Sequence, residues 1–169
     1  MKKRLNITVL LLAAVLGTSV TACSGSAKTA ETTAAETGAA VSGKPAAEIL
    51  SEIYDSVSLP GVMEMPAQYI MNYYGIDTGA YPDSFFAMSE DATSAEMIVF
   101  VRAASEAEAA VVGEQLQMIR DTKAEEMQNY LPEQYQLVSG SDVVINGNTA
   151  YLVISEQAAA IRSVIESGI

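Results

Sequence analysis

Histidine and tryptophan are absent from this 169-residue chain, cysteine occurs once, and only nine basic residues stand against 21 acidic ones. Without histidine, the side chain best matched to proton transfer near neutral pH is missing. A single cysteine excludes a disulfide within the chain, so the fold rests on its core alone. The excess of acid, a formal charge of −12, disfavours nucleic acid as a partner because phosphate backbones would be repelled. Nor does any stretch approach 18 consecutive apolar residues, so no membrane-spanning helix is expected.

What is present begins with a targeting signal. Lys2, Lys3 and Arg4 form a cationic start, and Ile7 to Leu16 form an apolar core broken only by Thr8. That core is too short to span a bilayer and long enough for a signal peptide. Val20-Thr21-Ala22-Cys23 follows, a branched aliphatic, two small residues and the sole cysteine. The tetrapeptide is similar to the bacterial lipobox, which implies cleavage after Ala22 and a diacylglyceryl group on Cys23. With two or more acyl chains, palmitate among the expected lipids, the mature protein is anchored stably at about 0.8 kcal/mol per buried methylene. Acylation also removes the one candidate thiol nucleophile. Cleavage takes three of the nine basic residues and none of the 21 acidic ones, moving the formal charge from −12 to −15. The expected location is the extracytoplasmic face of the cell membrane.

Residues 24 to 44 hold one valine and no aromatic among Ser, Thr, Ala, Gly, Glu and Lys. Such a composition cannot offset the entropy of ordering and reads as a tether. As a flexible coil it spans roughly 25 Å. The expected organisation is therefore a signal peptide at 1–22, a lipidated cysteine and tether at 23–44, and one domain at 45–169.

Within that domain, helical spacing predicts helices over 45–56 and 66–74, the second closed by Gly75. Phe85 to Met88 is a short strand candidate expected at a sheet edge, and Glu96 to Arg102, apolar on both faces, is a central strand. Ser105-Glu106-Ala107-Glu108 has capping-box spacing and opens a long helix whose buried stripe is Val112, Leu116, Ile119 and Met127. The helix ends before Leu131-Pro132. Strands over 136–145 and 148–154 flank a turn at Asn146-Gly147. A last helix follows, capped by Ser155, with Ile161, Val164 and Ile165 inward and Gly168 after it. The order predicts an α+β domain: a four-stranded, mainly antiparallel sheet of two hairpins joined by a long crossover helix, with helices packed on one face.

Several of these segments carry a resemblance. Tyr74-Gly75-Ile76-Asp77, Ala95 to Phe100, the long helix bearing Arg120, Tyr130-Leu131-Pro132, and Gly147 followed by Tyr151 resemble a family of small lipoproteins of clostridial-type Gram-positive bacteria, catalogued as a domain of unknown function. The likeness covers most of residues 45–169. Members often carry lysine just after the phenylalanine of the central strand, where this chain has Val101-Arg102. The resemblance implies a membrane-anchored extracytoplasmic domain and supplies no catalytic residue, ligand or cofactor.

Candidate chemistry is sparse. Tyr69, Tyr73, Tyr74 and Tyr81 crowd one stretch beside Phe85 and Phe86 and form a candidate binding surface for a protein, a cell-wall component or a small molecule; Tyr81, in the turn-like Tyr81-Pro82-Asp83, is expected to be the most exposed. Helical spacing fits a core for these rings equally well. Glu90, Asp91 and Glu96, and separately Asp121, Glu125 and Glu126, are the candidate carboxylates. Lys123, the one lysine after residue 44, is expected to be a solvated salt-bridge partner. The Ser89–Glu96 loop offers oxygen ligands without the pattern of a calcium site, and Met63, Met65 and Met71 have thioether spacing suited to Cu(I) but are equally core filler, so no metal site and no cofactor are assigned. The expected function is a non-catalytic binding or protein-interaction module. The alternative is an envelope enzyme using acidic residues with a divalent cation.

Overall fold

The structure, a computed structural model, describes residues 43–169. The signal peptide, Cys23 and nearly all of the tether lie outside the described residues. Five helices and five strands follow in the order α1 (Ala46–Ser56), β1 (Val62–Glu64), α2 (Ala67–Tyr74), β2 (Ser84–Ser89), β3 (Met97–Arg102), α3 (Glu106–Met127), α4 (Pro132–Ser139), β4 (Val143–Asn146), β5 (Thr149–Ile154) and α5 (Ala158–Ser167). No described helix is long and apolar enough to cross a membrane.

The strands form one open antiparallel sheet in the order β1-β2-β3-β5-β4. It has five strands rather than the four expected. Val62–Glu64, between Gly61 and Pro66, is too short to show alternation in sequence, yet it pairs with Ala87–Ser89. That pairing moves β2 off the edge where it was expected and into the interior, where Phe85 to Met88 are all buried.

Helices cover both faces of the sheet rather than one. On one side Phe85, Ala87, Ile98, Phe100, Tyr151 and Val153 meet Ile49 and Ile53 of α1 and Ile161 and Ile165 of α5. On the other, alternate residues such as Phe86, Val99 and Leu152 meet Ile70 of α2, Leu116 of α3 and Val138 of α4. This explains why β3 and β5 are buried at every position. A strand apolar on both sides needs two covering layers.

Three local expectations also need correction. The stretch 136–139 completes α4 instead of opening a strand: Pro132 at the first helical position starts a new helix, and Leu131, Tyr135 and Val138 have helical spacing. The two-residue turn is Gly147-Asn148, one residue later than expected, with Asn146 paired to Thr149 and Gly147 at φ +55°. Asn148 is held there by a backbone and a side-chain hydrogen bond to Ala103, of 2.8 and 2.9 Å. Ser155 does not cap α5 directly; its Oγ accepts from Gln157 N within the preceding turn and donates to Glu96 Oε1 at 2.6 Å. The N-cap of α3 forms as expected, with Ser105 Oγ accepting from Glu108 N at 3.2 Å, while the Glu108 carboxylate reaches back one residue further, accepting from Ala104 N rather than from Ser105 N.

The α1/α5 face is closed by an ion pair between buried Arg102 and half-buried Asp83. Pro45 offers α1 no capping side chain, and Asp83 Oδ1 supplies the acceptor to Ala46 N at 2.6 Å. The other oxygen of Asp83 pairs with Arg102, which also donates to the carbonyls of Lys44 and Gly168. One guanidinium thus joins the first and last described turns to the end of β3.

Candidate functional site

A cleft of about 530 Å³ opens on the other side of the molecule. One wall is α2, which presents Tyr69, Tyr73 and Tyr74. The opposite wall is α3, with Met118, Lys123 and Glu126 facing in. The end of β2 and the turn after it close the third side with Met88, Glu90 and Asp91. Ile119 and Met127 of α3 and Met88 are buried and make an apolar floor.

The tyrosine wall follows from local sequence. An eight-residue helix places Tyr69 and Tyr73 on one face, and Gly75 at φ +68° ends it, a left-handed conformation that glycine adopts without strain. The Tyr69 and Tyr73 rings stack with centroids 4.4 Å apart, and Tyr74 meets Tyr69 edge-on at 6.3 Å. Tyr73 is 71% exposed. Tyr74 is half-buried and its hydroxyl donates to the Met88 sulfur at 3.4 Å. Burial, then Tyr69 and Glu126, push the Tyr74 phenol well above the usual range. It is a proton-keeping donor and not a base.

Three of the four candidate tyrosines therefore share the cleft. Tyr81 does not: it is half-buried, packs against the core and lines a separate hollow with Ile70 and Phe86. The exposed member is Tyr73, contrary to expectation. Tyr81-Pro82-Asp83 does turn, but the turn folds its ring inward while Asp83 reaches Arg102.

Of the candidate carboxylates, Glu90, Asp91 and Glu126 line the cleft, drawn from both groups. Glu96 is committed to Ser155, and Asp121 to Arg120 and Gln117. Asp91 accepts from both the amide and the hydroxyl of Thr93, at 2.8 and 2.7 Å. Those bonds hold its carboxyl below the usual range. The turn is braced further by Glu90 N to Gly61 O and by Ala95 N to Gln134 Oε1.

Lys123 is not the solvated ion-pair partner expected. It is half-buried in the cleft wall, and among the described residues no carboxylate lies within salt-bridge distance. Burial lowers its pKa, partly offset by Glu126. The signal was legible: Lys123 lies four residues from both Ile119 and Met127, on the buried stripe itself. Among the described residues no group of three or more His, Cys, Asp or Glu is arranged to hold a metal ion. Met63 is exposed and Met65 packs against the core, so their sulfurs have different surroundings.

The fold thus defines an α+β domain with a layer of helices on each face of an antiparallel sheet and one open, tyrosine-walled cleft. The chain belongs to the family described as Domain of unknown function (DUF4358), whose model matches residues 55–155. That span contains both hairpins, α2, α3 and the whole cleft. No curated protein and no solved structure matches the chain.

Proposed function

We propose that this protein is a lipid-anchored extracytoplasmic binding module, non-catalytic, whose ligand face is the cleft between α2, α3 and the turn after β2. The observation that carries the reading is the exposed Tyr73 ring stacked on half-buried Tyr69 beside an apolar floor. A cleft of this volume falls in the range of small-molecule and peptide-side-chain sites, and aromatic walls with a few polar groups are their usual lining. The basic start, apolar core and Val20-Thr21-Ala22-Cys23 support attachment through lipid on Cys23, as does the resemblance to small lipoproteins of clostridial-type bacteria.

The alternative, an enzyme working through acidic residues, has Glu90, Asp91 and Glu126 around one cleft in its favour. Against it stands Asp91, kept ionised by Thr93 when a general acid needs the opposite shift. Two measurements test the proposal. Mass spectrometry of the processed N-terminus is expected to find a diacylglyceryl cysteine, and an unmodified thiol would remove the anchor. A photo-crosslinking residue at Tyr73 is expected to capture a discrete partner in intact cells, whereas the same residue at Tyr54 captures none. Equal capture at both positions, or none at Tyr73, would refute the cleft as the ligand face.

A further inference from the structure

The cleft divides by depth. Its floor is thioether and hydrocarbon from Met88, Ile119 and Met127, all buried. Its rim is charged and unbalanced: Glu90, Asp91 and Glu126 are exposed around it, and among the described residues the only cation in the lining is Lys123. Thr93 keeps Asp91 ionised. The outer surface of Tyr73, 71% exposed, lies along the same rim.

These features select a ligand. A hard divalent cation needs several oxygens converging within about 2.0–2.6 Å of one point, and the carboxylates here are spread around the opening in no metal-binding group among the described residues. A cation carried on an organic body has different needs. Its charge is satisfied by diffuse negative potential and by the faces of aromatic rings, and its body by the apolar floor. We infer that the cleft receives an organic ammonium cation with an apolar body, its charged end at the Glu90–Asp91 rim beside Tyr73 and its body over Met88 and Met127. The inference rests on the cleft being the ligand face, and it assigns Lys123 a role: as a like charge in the wall, it limits affinity for the cation.

A matched set of hexylammonium, hexanol and hexanoate tests this on the full chain held in neutral-lipid nanodiscs, read by NMR of the tyrosine rings. Hexylammonium is expected to bind most tightly and to shift Tyr69, Tyr73 and Tyr74. Glu90→Gln with Asp91→Asn is expected to weaken hexylammonium about tenfold and leave hexanol unchanged. Lys123→Met is expected to tighten hexylammonium severalfold. The substituted carboxylates are exposed, and unchanged ring spectra in the free variants establish that they fold. Equal binding of all three probes overturns the cation while leaving a binding cleft. Preference for hexanoate, lost in Lys123→Met, overturns it in favour of an anion site. No shift of the cleft tyrosines with any probe ends both readings.

Discussion

One sheet carries two different faces here. Against α1 and α5 it is sealed: Phe85 and Phe100 stack at 5.5 Å, Ile49, Ile53, Ile161 and Ile165 are fully buried, and Arg102 ties the seam. Against α2, α3 and α4 it is equally buried near its centre but opens between α2 and α3 into a cleft. The same alternating strands supply both faces, so the difference lies in the helices. The short α2 is rich in tyrosines whose rings cannot all be buried at once, whereas α1 and α5 present small and branched aliphatic stripes that close completely. Both faces bury the centre of the sheet, but the sealed face leaves no open side and adaptable surface is confined to the open one.

Breaking the sealed face should therefore cost most. Phe100→Ala is expected to destabilise by about 4 kcal/mol in chemical denaturation, combining lost burial with a cavity. Arg102→Met should cost roughly 3 kcal/mol, because it leaves Asp83 and the Lys44 and Gly168 carbonyls without their shared donor. A loss under about 1 kcal/mol would show that the pair adds little to the seam. Gly168→Ala comes next, at about 1–2 kcal/mol, since its new Cβ would lie 2.8 Å from two carbons of buried Ile49.

Alkaline pH weakens both faces through tyrosines. Burial and Glu166 push the Tyr151 phenol up to about 12, and Tyr74 is also raised. A phenol whose folded pKa exceeds its unfolded value of 10.0 stabilises fully below that value and loses its contribution as pH rises through the folded one. Stability should thus fall between pH 10 and 12, and Tyr151→Phe should flatten the fall. Lys123 has the opposite sign: with its pKa below 10.5, it penalises the fold while protonated, and the penalty fades as pH approaches that value. The smallest effects belong to the rim of the open face, where Tyr73→Ala and Met118→Ser should change stability by less than about 0.5 kcal/mol. A larger loss would make the tyrosine wall part of the core.

How legible this was in the sequence depends on length scale. The elements with caps or full periodicity were readable: the Ser105 box, Gly75 after α2, and the doubly apolar Met97–Val101. Strand β1 was not, because its three residues, set between Gly61 and Pro66, carry no period. Nor was α4, because Pro132 begins a helix just after another ends, and a proline marks a stop and a first helical position alike. Two covering layers are implicit in a strand apolar on both faces, but the chain order of the helices does not say which side each one takes. For the site, spacing placed Tyr69, Tyr73 and Tyr74 together without showing which rings stay exposed, since that depends on how closely α3 approaches. For Lys123 the flanking charges of Arg120, Asp121 and Glu125 point to solvent, whereas its distance of four from Ile119 and Met127 places it on the buried stripe.

The contrast between the faces is tested most directly by the methionine and isoleucine methyl NMR signals of the full chain in nanodiscs during titration with hexylammonium. Met88 and Met127 on the cleft floor and Met118 at its rim are expected to shift together, while Ile49 and Ile161 on the sealed face stay in place. Shifts at Ile49 or Ile161 of the same size, or silence at all three cleft methionines, would contradict the account.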